Sequence, residues 1–315
     1  MKISNVLDNF LKKEIIEGST ADTVRHYRTH IGFFIKYFGD KDINKITYSV
    51  YEDYILYLRN KYKESSGFVG KKEKLSGRTI KTYASALKTF LTYAYNNGHL
   101  KENVSANIKM PRYKKKVIQI LSFKEINTLL GSFDRKTFVG IRDLLIVSLM
   151  LDCGLRLSEV TKLKLSDFNK ENNTIKIDGK GQKERLVPLT SFIKDCLNLY
   201  VYTYYSTFHK ELDENIVLIR TQDNEDASKN TISLMFRRLR KKLGMNIHPH
   251  LLRHTFATLF LVNGGDINSL QLILGHTTLT MVLNYLHLAN LINMSLKTKF
   301  SPLSNIQNPI GQKNN

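Results

Sequence analysis

The stretch HPHLLRHTFAT, His248 to Thr258, decides the reading of the chain's second half. It opens a helix expected over about 250–263. His250 and His254 are spaced i, i+4, as in zinc-binding helices. The glutamate that such helices carry is missing, because Leu251, Leu252 and Arg253 fill the gap. Arg253 would also repel a cation, so no metal site is expected here. Arg253 with His250 fits an anion instead, because a guanidinium fork beside a second donor suits phosphate.

Three further stretches extend this reading: GLRLSEV (154–160), GKGQKERLVPL (179–189) and LGHTTLTMVLNYLH (274–287). Taken singly, each is bland. Arg156 could cap carbonyls or pair with Glu159. Lys180 could be a solvated hairpin tip. The GxG there is no dinucleotide fingerprint, since no helix follows the turn. Tyr285 is one of sixteen tyrosines. Taken together they say more. Two arginines, a lysine and two histidines form a cationic pocket, which stabilises the charge of a pentacoordinate phosphorus without a metal. A tyrosine adds an oxygen nucleophile.

The rest of the chain supplies a mostly helical frame. After Ser19 and Thr20, residues Val24, Tyr27, Ile31, Phe34, Ile35 and Phe38 make one apolar stripe at helical spacing, closed near Gly39. A shorter helix fits 50–58, and the polar, Gly-rich stretch 63–77 reads as a loop. A stronger helix carries Ile80, Tyr83, Leu87, Phe90, Leu91 and Ala94 in register. Its polar side holds Arg78, Lys81, Thr82 and Lys88, which could lie along a phosphate backbone. Residues 106–118 contain Pro111 and the run Lys114, Lys115, Lys116, and read as a basic linker between domains 1–105 and 119–315. Ser122 and Glu125 form a capping-box pattern that opens the second domain. An apolar helix is expected over 138–152, strands over 174–178 and 184–189 with a turn between, and helices near 191–209, 230–243 and 267–274. The last dozen residues read as loose.

The formal net charge is +20, and both halves and the joint between them are basic. Such a field attracts polyanions. Spread in this way, it suits a protein that wraps nucleic acid with two domains. The longest apolar stretch, Leu144 to Leu151, is too short to span a bilayer, which takes about 20 residues. Asp8 and Asn9 interrupt the N-terminal apolar run, so no secretory signal is read there and a cytoplasmic location is expected. Cys153 and Cys196 lie far apart and read as reduced core thiols.

In order and spacing, the four stretches resemble the catalytic domain of the tyrosine recombinase, or phage integrase, family, with the Xer type most similar. GLRLSEV resembles its first arginine motif, GKGQKERLVPL its hairpin-lysine motif, HPHLLRHTFAT its HxxR motif, and LGHTTLTMVLNYLH its LGH-to-tyrosine motif. The helical first hundred residues resemble the family's core-binding domain. The resemblance implies a mainly α fold with a small β-sheet in the second domain, two domains clamping a duplex from opposite faces. It implies six catalytic positions: Arg156, Lys180, His250, Arg253, His276 and Tyr285. Tyr285 would attack the scissile phosphate to give a 3′-phosphotyrosine and a free 5′-hydroxyl. Arg156 and Arg253 would clamp the nonbridging oxygens, and Lys180 would protonate the leaving 5′-oxygen. His250 would act on the nucleophile or donate to the phosphate, His276 would hydrogen-bond the phosphate, and Glu159 would orient its neighbours.

No nucleotide, metal or other cofactor is implied. The implied partners are double-stranded DNA with paired sites and a homotetramer, alone or with a second recombinase or accessory factor, working through a Holliday junction. Residues 288–310 would supply a C-terminal helix for a neighbouring protomer. With the linker near residue 110, no additional arm-binding domain is expected before the core-binding one. Dimer resolution, integration, inversion and transposon movement all remain open. So do three rivals: a non-catalytic DNA-binding protein on the same fold, a metal-dependent nuclease, and a relaxing topoisomerase of the type IB kind.

Overall fold

A computed structural model describes residues 1–60, 75–113, 118–179, 184–276 and 278–292. Most of the expected 63–77 loop, the turn at 180–183 with Lys180, the run Lys114, Lys115 and Lys116, and the chain after residue 292 lie outside these residues. The chain divides into two compact units, Met1–Lys116 and Val117–Asn315.

The first unit is helical. Its elements are α1 (Ile3–Ile16), α2 (Ala21–Phe38), α3 (Tyr48–Asn60), α4 (Gly77–Asn96) and the single turn α5 (Val104–Asn107). Helix α4 buries one stripe, Ile80, Tyr83, Ala84, Leu87, Phe90, Leu91 and Ala94, and Ser76 caps it by accepting from the Thr79 amide. Helix α1 faces it with Val6, Leu7, Phe10 and Leu11. Phe10 sets its ring edge-on to both Phe90 and Tyr27. Burying one such phenyl ring is worth about 1.5–3 kcal/mol. In α2 only Ile31 and Phe34 of the expected stripe are fully buried, and the others pack at the margin. This unit continues through part of the stretch read as linker, because Asn107 closes α5 and Ile108 lies in the core.

The second unit is built around α7 (Phe138–Asp152), which follows α6 (Phe123–Gly131). Helix α7 is buried on almost every side, so its apolar residues form no single stripe. Next come the short α8 (Leu157–Val160) and a three-stranded antiparallel sheet, β1 (Phe168–Asn169), β2 (Thr174–Asp178) and β3 (Glu184–Pro188), in that order. Register pairs Ile175 with Val187, which puts two apolar side chains on the inner face. The remaining helices are α9 (Ser191–Phe208), α10 (Lys229–Leu243), α11 (Pro249–Val262), α12 (Ile267–Leu274) and α13 (Thr280–Ile292). Helix α11 divides its faces. Leu251 and Leu252 enter the main core, while Ala257 and Leu261 pack with Val282, Tyr285 and Ala289 of α13 in a second cluster. The architecture is mainly α with a small sheet in the second unit, as expected from sequence. Among the described residues no helix is long and apolar enough to cross a membrane.

Candidate active site

Three segments bring their arginines to one carboxylate. Glu159 lies in α8, and its side chain accepts from the Arg156 backbone amide at 2.7 Å, fixing the turn that presents Arg156. Arg156 Nη1 donates to Glu159 Oε1 at 2.8 Å. Arg185, reaching in from β3, donates to both Glu159 oxygens at 3.0 and 2.8 Å. Arg253 of α11 stands 4.0 Å from the same carboxylate. Burial pushes the Glu159 carboxyl up, but the bonds from Arg185 and Arg156 outweigh it and hold the group below the usual carboxylate range.

Arg253 is 4% exposed. Its Nη1 donates to the Gly154 carbonyl at 2.5 Å and its Nη2 to the Leu274 carbonyl at 2.7 Å. Arg185 Nε donates to the neighbouring Ile273 carbonyl at 2.6 Å. The two arginines thus satisfy carbonyls at the C-terminal end of α12, where the last turn leaves carbonyls without an intrahelical partner. They also fix the place where the chain turns through Gly275 into His276. Burial, then the nearby Arg156, lowers Arg253 to about 10, so it stays cationic at neutral pH. Arg156 differs in being one-third exposed at its side chain.

Gly154 occupies the left-handed region at φ +64°, and a Cβ there would meet the Phe256 ring at 2.4 Å. Gly154→Ala is therefore expected to destabilise the protein by about 1–3 kcal/mol. The result would appear as a lower midpoint of chemical denaturation, and an unchanged midpoint would refute the constraint.

His276 lies 3.1 Å from Arg253 Nη2 through its Nε2. A guanidinium can only donate, so Nε2 carries the lone pair and Nδ1 the proton. Among the described residues that buried Nδ1 has no hydrogen-bond partner. Burial, then Arg253 and Arg156, lowers His276 to about 4, which keeps the ring neutral. A neutral ring with an unused N–H beside two guanidiniums is a donor for an anionic oxygen.

Tyr285 is 5% exposed on α13. Burial raises its phenol above the usual range, while Arg253 and Arg156 pull the other way. Its hydroxyl is 2.8 Å from Nδ1 of His254. His250 is exposed, and its ring lies against that of His254, with centroids 6.4 Å apart. The structure thus joins Arg156, Glu159, Arg253 and His276 in one network, with Tyr285 within their electrostatic reach. It sets His250 at the margin.

Sequence reasoning missed two participants. Arg185 shares the inner side of β3 with Val187, and an arginine at an inward strand position was the available signal. His254 was seen only as half of a zinc pattern. In the first unit, Arg78 and Lys81 are exposed on α4, with Lys81 over the Tyr113 ring. The Thr82 hydroxyl donates to the Arg78 carbonyl within the helix, and the Lys88 ammonium donates to the Ile108 carbonyl at 3.0 Å.

Known proteins resemble this chain across both units. Residues 119–291 match the model of the phage integrase family, and residues 3–117 that of the phage integrase SAM-like domain. The tyrosine recombinase XerD of Listeria innocua is 27% identical over 305 residues, covering 95% of this chain and 99% of its own. The tyrosine recombinase XerC of Chlamydia muridarum is 33% identical over 224 residues, covering 70% of this chain and 69% of its own. The solved Tn1549 transposon integrase, in complex with transposon right end DNA, has a TM-score of 0.72 at 19% identity and covers 94% of this chain and 99% of its own. That likeness speaks for the fold, while the family match and the XerC identity go further: the chain belongs to the phage integrase family and is a tyrosine recombinase of Xer-like type.

Proposed function

We propose that this recombinase binds double-stranded DNA at paired specific sites and cuts each strand through Tyr285. The product is a 3′-phosphotyrosine and a free 5′-hydroxyl. The observation that carries the reading is the set of three guanidiniums held around one buried carboxylate, with the His276 Nδ1–H, unpaired among the described residues, and the Tyr285 phenol beside them. Arg156 and Arg253 stabilise the extra negative charge as phosphorus becomes pentacoordinate. His276 donates to a nonbridging oxygen, exposed His250 donates to the phosphate from the outer side, and Lys180 protonates the leaving 5′-oxygen.

The phosphotyrosine conserves the energy of the broken bond, so a 5′-hydroxyl of the partner strand can displace it without ATP. In this reading four copies of the chain hold two sites and exchange strands in two rounds through a Holliday junction. The first unit contacts backbone phosphates through Arg78 and Lys81 on α4, and the basic run Lys114, Lys115 and Lys116 adds further charge for the same backbone. Dimer resolution and DNA integration or excision use the same chemistry and differ only in the sites paired.

The test is covalent trapping. Purified protein is incubated in EDTA with nicked suicide duplexes tiled from the DNA that flanks its own gene, and adducts are resolved in SDS. The expected result is an SDS-resistant band that disappears in Tyr285→Phe. A band that persists in Tyr285→Phe would move the nucleophile elsewhere. DNA binding without any adduct, on tiles that include a bound site, would favour a binding protein over a recombinase.

A further inference from the structure

Helix α11 places three groups on the side that faces α13: His254, Ala257 and Leu261, at i, i+3 and i+7. Ala257 and Leu261 pack against Val282, Tyr285 and Ala289 and so set the separation of the two helices. His254 stands at the end of that seam, where its ring lies 5.5 Å from the Tyr285 ring, centroid to centroid. Its Nδ1 meets the phenolic oxygen at 2.8 Å, and among the described residues no other hydrogen bond reaches that oxygen.

We propose that His254 is a catalytic residue of strand cleavage, taking the Tyr285 proton on Nδ1 as the phenolic oxygen bonds to phosphorus. The inference rests on Tyr285 being the nucleophile. In the step, the phenolic O–P bond forms and the P–O5′ bond breaks. The phenolic proton passes to His254 Nδ1, and the leaving 5′-oxygen takes a proton from a separate acid. On rejoining, a 5′-hydroxyl displaces the tyrosine and His254 returns the proton to the phenolic oxygen.

The surroundings suit this task. Burial, then His250, His248 and Arg253, lower His254 to about 4, so the ring is neutral at neutral pH and one of its nitrogens can take a proton. A weak base suffices because the phenolic oxygen loses its basicity as it bonds to phosphorus. Arg253 and Arg156 favour the developing phenolate.

Three variants separate the roles. Asn at position 254 can place an amide oxygen close to where Nδ1 stood, which keeps an acceptor but cannot take up a proton. Ala removes both functions, and Tyr285→Phe controls for the nucleophile. Single-turnover cleavage of a nicked suicide duplex is measured beside DNA affinity and thermal midpoint, with and without added imidazole. The expected result is a loss of about 10²–10⁴-fold in cleavage for both His254→Asn and His254→Ala. DNA affinity should hold within a few-fold, and imidazole should partly restore His254→Ala alone. His254→Asn cleaving at the wild-type rate would overturn the proposal, leaving only a positioning contact. So would an unaffected His254→Ala, or an impaired one that imidazole cannot rescue. An adduct surviving in Tyr285→Phe would instead overturn the assignment of the nucleophile.

Discussion

Arg253→Lys is expected to slow strand cleavage by about 10²–10³-fold while leaving DNA affinity within a few-fold of wild type. The substitution keeps the positive charge, so any long-range attraction for the duplex survives. What it removes is the fork. One guanidinium bonds the Gly154 carbonyl, the Leu274 carbonyl and the Nε2 of His276 in three directions at once. An ammonium on a flexible stem cannot hold that planar arrangement. The His276 ring would lose the donor that fixes its tautomer, so both groups proposed to hold the phosphate would be disturbed together. Single-turnover cleavage read beside a binding titration separates the two effects. A cleavage rate within tenfold of wild type would mean that charge alone, without geometry, is enough at this position.

Glu159→Gln is expected to cost about 3–5 kcal/mol of folding stability, the range seen when one partner of a buried ion pair is removed. The amide keeps the shape of the carboxylate but leaves the side chains of Arg185 and Arg253, 10% and 5% exposed, without their counter-ion. Urea denaturation at neutral pH measures the loss, and a change below about 1 kcal/mol would show that water or movement compensates. The acid limb gives a second reading. Because the folded carboxyl lies below its unfolded value, its contribution is complete above the unfolded carboxylate range. It disappears as pH falls through the folded value. Wild type should therefore lose this part of its stability on acidification, and Glu159→Gln should not.

The sequence made the four motif stretches legible because each joins a charged or nucleophilic residue to a distinctive neighbourhood, as Arg156 is joined to Glu159 across one turn. Periodicity found α4 and the apolar run found α7. It did not single out α13 as a helix, and the structure shows why. Met281, Leu283, Leu291 and Ile292 are exposed on α13 while Val282, Tyr285 and Ala289 are buried, so its apolar residues surround the axis instead of marking a face. Strand β1 has two residues, too few for any alternation to register. The partners of Tyr285 and Glu159 were hidden for another reason. His254 lies 31 residues from Tyr285, and Arg185 lies 26 from Glu159. Nothing local states that either pair will meet, because the meeting depends on how α11 packs on α13 and on which face of β3 turns inward.

Arg253 is a structural strut, whatever its proposed part in holding phosphate, which has a consequence for relatives that drift away from recombination. A descendant that no longer cuts DNA is released from any need for the Tyr285 hydroxyl, since phenylalanine fills nearly the same space. It is not released from Arg253 or Glu159, whose loss would unpair buried groups in every copy, active or not. With Tyr285 as the proposed nucleophile, mutational decay should therefore erase that tyrosine early and the arginine late. In this lineage a surviving arginine certifies only that the domain still folds, and the tyrosine is the residue whose presence dates the last selection for chemistry.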